Sequence, residues 1–191
     1  MAKISDNESA PIAVTVAELP DATPELHAGR RVLLSGEIFT ARDAAHMEIA
    51  RLLDSGLSLP FDLRGAVIYY AGPTPGRVGR PVGSCGPTTS ARMDAFTPRL
   101  YDLGLAATIG KGERSVPVWD AIVRNGALYL CAVGGAGALI SRHITAAEEV
   151  AFPELGTESV KKLTIDSMPL TVGLDSLGGD LFRIGRGRYG I

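Results

Sequence analysis

From residue 31 onward the chain alternates short apolar runs with segments whose apolar positions recur every three or four residues. RVLLSGEIF (31–39) has the look of a strand, and RDAAHMEIARLLDSG (42–56) that of a helix stopped at Gly56. In that helix Ala45, Ile49, Leu52 and Leu53 fall on one face, and Thr40 with Asp43 forms a T-x-x-D capping signal at its start. AVIYYAG (66–72) predicts a buried strand ended by Gly-Pro, followed by a Pro/Gly-rich connector, PTPGRVGRPVG. ARMDAFTPRLYDLG is helical in pattern but must split at Thr97-Pro98. LAATIGKG predicts a strand entering a glycine turn, VPVWDAIVRNG a helix with an Asn-Gly stop, and ALYLCAVGG another strand. GALISRHI is helical in character, and KKLTIDSMPLTVGLDSLGGDLF holds one or two strands joined through Met168-Pro169. Repeated strand–helix alternation with a strand-rich end predicts a three-layer α/β domain around a largely buried mixed sheet. Residues 1–10 are polar enough for a disordered tail, leaving 11–191 as one domain.

Composition narrows the partners. A formal charge of −2 gives no basic excess, which argues against nucleic acid and anionic membrane surfaces. The longest uncharged run, residues 127–140, is too short and too glycine-rich to span a bilayer. MAKISDNESA lacks the apolar core of a secretion signal, and two cysteines do not make a disulfide scaffold, so a cytoplasmic setting is expected.

Three stretches carry candidate chemistry. In GSCGPTTSARMD (83–94), Gly86-Pro87 forces a turn, and Thr88, Thr89 and Ser90 suit a helix N-terminus. A helix starting there would place Thr88 and Arg92 on one face, and hydroxyls, free N–H groups and a guanidinium together bind carboxylate or phosphate. A plain helix cap beside a surface arginine accounts for the same residues. In TARDAAH (40–46), Arg42 falls at a strand-to-helix turn and can present its fork to an anion, or simply form a salt bridge; His46 follows one turn later. In IGKGER (109–114), Lys111 sits between two glycines, where backbone permits close ligand approach. No phosphate-binding P-loop is present here, because the upstream glycine and the following Ser/Thr are missing.

VGGAGAL (133–139) lacks the spacing of a dinucleotide-binding fingerprint and reads as close helix–sheet packing. Cys131, mid-strand, reads as a small buried hydrophobe. Cys85 has no base specified by spacing and belongs to no metal-ligand cluster, which leaves it as a bystander or a residue lining the site.

Taken together, TARDAAH, YYAGPTP, GSCGPTTSARMDAFTP, IGKGER, LYLCAVGGAGALI, FPELGTESVKKL and MPLTVGLDSLGGDLF closely resemble the C-terminal domain or β-subunit of class I iron–sulfur fumarate hydratases. That family also includes L-tartrate dehydratase β-subunits. The likeness covers nearly all of the chain beyond the first twenty or so residues. It implies a swivelling β/β/α domain docked on an α-subunit, in an αβ or α2β2 hetero-oligomer. In the family the α-subunit holds a [4Fe–4S] cluster with three cysteines and one open iron, which acts as Lewis acid; the two cysteines here cannot supply that ligation. The resemblance makes Arg42 and Arg92 the clamp on the carboxylates of a C4 dicarboxylate, with Thr89 alongside, and gives Lys111 a substrate contact. Thr88 becomes the base toward the carbon-bound proton, or a residue that only positions substrate.

The implied activity is reversible hydration of fumarate to L-malate. Tartrate or a methyl-substituted fumarate such as mesaconate is the alternative substrate. A non-catalytic dicarboxylate-binding module is the reading from outside enzymology.

Overall fold

A computed structural model describes residues 10–190; most of the expected polar tail, residues 1–9, lies outside the described residues, as does residue 191. Seven strands and six α-helices follow in order, joined by turns of 3-10 helix: β1 (Ile12–Thr15), α1 (Leu19–Ala22), β2 (Arg31–Thr40), α2 (Asp43–Asp54), β3 (Val67–Tyr69), α3 (Thr97–Asp102), β4 (Ala107–Gly110), α4 (Val116–Asn125), β5 (Leu128–Cys131), α5 (Gly137–Ile140), β6 (Ile144–Ala151), β7 (Val160–Leu174) and α6 (Leu181–Tyr189). The architecture is mixed α/β with a mixed sheet, as the alternation predicts.

Strands β1 to β5 run parallel to their neighbours. The 15-residue β7 then lies antiparallel to both β5 and β2, closing a ring of β2, β3, β4, β5 and β7, and β6 pairs with residues 160–165 at the start of β7. The two-residue period of a strand sorts side chains into two cores. Val67 and Tyr69 of β3, Ala107 and Ile109 of β4, and Leu128 and Leu130 of β5 share one buried cluster inside the ring. Ile68, Tyr70 and Tyr129 point the other way, against Ile49 of α2, Leu100 and Tyr101 of α3, and Ile122 of α4.

Strand β7 fills both ends of the ring by shifting its phase. Leu34 of β2 faces Met168 and Gly36 faces Ile165, so β7 carries one extra residue between these pairs. Its inward positions accordingly pass from Leu163 and Ile165 to Met168, Leu170 and Val172. Ser167 adopts φ 51 at the bulge. The expected junction at Met168-Pro169 is therefore a bulge within one strand.

The helix over 42–56 is present as α2, with Ala45 and Ile49 buried and Leu52 and Leu53 half-buried. Its expected cap is corrected. Thr40 is still in β2, where its hydroxyl accepts from the Lys161 N–H (3.1 Å), and Arg42 is the N-cap, without a side-chain bond. The free N–H of Ala44 is instead met by Glu158, 3.0 Å away and from far along the chain. The split at Thr97-Pro98 is real: a 3-10 turn covers Ser90–Met93, and α3 starts anew with Pro98 in its first turn. Gly126, at φ 60, ends α4 as the Asn-Gly signal predicts. GALISRHI holds α5 and a 3-10 turn, but its last residue already begins β6. Strands β1 and β6 and helices α1 and α6 are not among the elements expected from the pattern.

Candidate functional site

The carboxyl ends of parallel strands present their residues to one rim of the sheet, the usual place for ligands in such folds. Arg42 follows β2, Tyr70–Gly72 follow β3, and Lys111 follows β4. The segment carrying Thr88 and Thr89 enters this rim and is held there by backbone bonds. Thr88 N–H donates to the Tyr70 carbonyl at 2.6 Å, Lys111 N–H to the Thr88 carbonyl at 3.3 Å, and Ser90 N–H to the Lys111 carbonyl at 2.9 Å. Thr89 and Lys111 thus form a parallel bridge.

That pairing corrects the expected helix N-terminus. Thr89 is extended, only a four-residue 3-10 turn follows it, and it makes no side-chain cap. Thr88 and Arg92 therefore do not sit one turn apart on a helix, and no helix N-terminus stabilises the Thr88 hydroxyl. Backbone bonds to Lys111 fix Thr88 instead.

Glycine makes the fit possible. A Cβ on Gly110 would overlap Ser90 Oγ and come within 3.0 Å of Tyr70 Cδ2, and Gly112 has φ +83. Gly134 lets the Lys111 stem pass, since a Cβ there would meet Lys111 Cδ at 3.3 Å. Gly137 is close to Gly86, and its carbonyl accepts the Cys85 N–H at 3.1 Å. The close approach of VGGAGAL is therefore mainly to the GSCGP loop, where helix–sheet packing was expected.

The two arginines meet through a residue that the sequence reading used only as a cap. Arg92 Nε lies 2.9 Å from Asp43 Oδ1, and Arg42 Nη2 lies 3.7 Å from Asp43 Oδ2. Glu158 flanks Arg42 on the other side at 3.3 Å. Arg42 packs under Gly72, where a Cβ would fall 3.1 Å from its Nη1. Thr89 and Arg92 are exposed, while Arg42, Thr88 and Lys111 are half-buried, so the rim is open to solvent on one side.

His46 is buried behind this rim. Its Nδ1 donates to the Arg42 carbonyl at 2.8 Å, and its ring meets Tyr70 edge-on at 5.4 Å. Burial lowers its pKa to about 4, with the Arg42 carbonyl and Asp43 only partly opposing, so it is neutral at pH 7. Its role is to hold the backbone of Arg42.

Sequence reasoning passed over Arg114. Its side chain is fully buried, with Nε 2.7 Å from Asp94 Oδ1. Its other donors reach Thr97 (3.0 Å), Thr108 (3.1 Å) and the Tyr70 hydroxyl (3.3 Å), and the guanidinium lies over the rings of Tyr70 and Tyr129. Asp94 also accepts from Ser115 N–H at 2.6 Å, and Tyr129 ties Ser90 (2.9 Å) to the Gly112 carbonyl (2.8 Å). This network pins the Thr88–Asp94 segment to the IGKGER turn. The only sequence signal was the charge pair in ARMD and GKGER, two residues that look like ordinary solvent-facing charges until the fold buries them.

The cysteines do not fit an iron–sulfur cluster. Cys85 is inside the ring core, and burial pushes its thiol up to about 12, far from the thiolate a metal needs. Cys131 is half-buried at the end of β5, where the sequence suggested a mid-strand core position, and burial raises its pKa too. Among the described residues no group of three His, Cys, Asp or Glu could hold a metal ion. No helix among them is long and apolar enough to cross a membrane.

Three cations and two threonines gather on one strand rim of an α/β scaffold, side-chain types that suit an anion. The chain belongs to the fumarase C-terminus family, whose model matches residues 2–185. It is 39% identical over 155 residues to the anaerobic class I fumarate hydratase of Escherichia coli (strain K12) and 38% identical over 156 residues to fumarate hydratase 2 of Leishmania major. Those alignments cover 80% and 81% of this chain but 28% of each relative, so the chain spans little more than a quarter of their length. A putative L(+)-tartrate dehydratase subunit beta of Methanocaldococcus jannaschii is 38% identical over 164 residues, covering 83% of this chain and 84% of that one.

Proposed function

We propose that residues 11–191 form one β-subunit-type domain, of the swivelling three-layer kind, in a cytoplasmic hydro-lyase that interconverts fumarate and L-malate. The observation that carries this is the joining of Arg42 and Arg92 through Asp43 beside the Thr88–Lys111 pairing. It places two guanidinium groups, an ammonium and two hydroxyls at one rim, which matches a doubly charged C4 acid better than a monoanion. A [4Fe–4S] cluster, in this reading, is held by an α-subunit that docks on the rim as αβ or α2β2, because this chain's own thiols do not fit it.

In this reading Arg42 and Arg92 each pair with a substrate carboxylate, with Thr89 at the edge of the clamp. Lys111 stabilises charge that builds on the carboxylate next to the reacting carbon. The Thr88 hydroxyl receives the carbon-bound proton in this reading, or only positions the substrate, and Lys111 is tied to its segment through the backbone. The likeness to the M. jannaschii putative L(+)-tartrate dehydratase subunit beta keeps tartrate as a second substrate reading. A mesaconate-type acid and a non-catalytic dicarboxylate module are further readings with no observation in their favour.

Co-expression with a three-cysteine α-subunit, followed by assay against fumarate, tartrate and mesaconate, separates these. Arg92 is half-exposed with one ion pair, so Arg92→Ala is expected to abolish turnover at a cost in stability of about 1 kcal/mol or less. Turnover of tartrate without fumarate overturns the substrate assignment, and full activity of the isolated chain overturns the partner.

A further inference from the structure

Asp43 has a part that the clamp assignment leaves out. It is the first residue of α2, where a helix N-terminus favours a carboxylate, and helix capping would explain an acid there. Its contacts say more. Oδ1 forms an ion pair with Arg92 Nε at 2.9 Å without an aligned N–H bond, while Oδ2 is buried and has no hydrogen-bond partner among the described residues. Arg42 Nε is likewise buried and unpartnered, although Arg42 Nη2 lies 3.7 Å from that same Oδ2. Buried polar atoms left unbonded are uncommon, and two on adjacent residues at one rim point to a functional constraint.

The geometry points to Asp43 as the positioning residue of the dicarboxylate clamp, acting through Arg92; this rests on the functional reading above. Arg92 extends from a short 3-10 turn with half of its side chain in solvent, and a free arginine there would sample many rotamers. Asp43 binds the Nε end of the guanidinium. Among the described residues its Nη groups have no partner, so they are left for an anion. Arg42 needs no such tie, because Gly72 packs on it and Glu158 flanks it. The Asp43 carboxylate also lies between the two arginines, so it sets their separation and offsets their mutual repulsion while the clamp is empty.

The first readout needs no turnover. In the full chain labelled with 15N, Asp43→Asn should shift or broaden the Arg92 Nε–H resonance. The buried Arg114 Nε–H serves as internal control, and an Arg92 signal unchanged in Asp43→Asn overturns the proposal. The second readout uses the co-expressed pair with fumarate. Asp43→Asn should lower kcat about tenfold or more, with KM changed less than about threefold, because the bound ground state keeps its cations while their aim is lost. In an Arg92→Lys background the same substitution should cost at most a few-fold more. Multiplying losses, or a fall in unfolding temperature with activity per folded molecule unchanged, overturns it. If the wild-type pair does not turn over fumarate, the functional reading fails while the resonance test still decides the Asp43–Arg92 tie.

Discussion

The buried Arg114–Asp94 pair makes an ordered prediction about stability. Asp94→Ala removes the carboxylate paired with a guanidinium that has no solvent exposure, leaving an uncompensated buried charge. Loss of one partner of such a pair costs about 3–5 kcal/mol. For a chain of this size each kcal/mol corresponds to about 2–4 °C, so the unfolding temperature should fall by roughly 6–20 °C. Arg114→Met should cost less, on the order of 2 kcal/mol. The groups it abandons can rebond: the Tyr70 hydroxyl already donates to Thr97 at 2.9 Å, Tyr101 and Thr108 are 2.7 Å apart, and Asp94 keeps the Ser115 N–H. Calorimetric or circular-dichroism melts, with urea titration to check that the transition stays cooperative, measure both variants. The reverse order, or a cost below about 1 kcal/mol for Asp94→Ala, would refute the view that this charge pair organises the rim.

His46 gives a pH dependence of definite sign. Its folded pKa of about 4 lies below the ordinary 6.5, so the neutral ring's contribution is complete above pH 6.5 and is lost as pH falls toward 4, by roughly 3 kcal/mol in all. Urea titrations across that window should show a flatter slope for His46→Asn than for wild type. Native alkylation with iodoacetamide at pH 8, read by mass spectrometry, should modify Cys131 well before Cys85, whose thiol sits in the ring core at a pKa of about 12. Gly110→Ala should destabilise by about 1–3 kcal/mol through the clash with Ser90, and a simultaneous Ser90→Gly should recover part of the loss in a melt.

The parts legible in the sequence were those fixed by local periodicity and punctuation. The helix over 42–56, the strand over 31–39, the break at Thr97-Pro98 and the stop at Gly126 each follow from neighbours within one or two turns. Ring closure was not legible, because it depends on β7 meeting β2 more than a hundred residues earlier, and no local pattern encodes that pairing. The Thr88–Ser90 segment misled for a similar reason: its residues suit a helix cap, but Lys111 offered a strand partner and the tertiary pairing won. At the site, Arg42, Arg92 and Lys111 stood out by their turn and glycine context. Asp43 and Arg114 did not, since an acid at a helix start and an arginine in a charged turn look ordinary until distant partners arrive.

Ring closure by so late a strand has a cost during synthesis. Until residues 160–174 have emerged from the ribosome, β2 and β5 each offer a row of unpaired amides and carbonyls, and the apolar interior between them stays wet. A nascent chain of this protein is therefore most exposed to strand-to-strand aggregation just before β7 emerges, when holding it unfolded a little longer is the safer course.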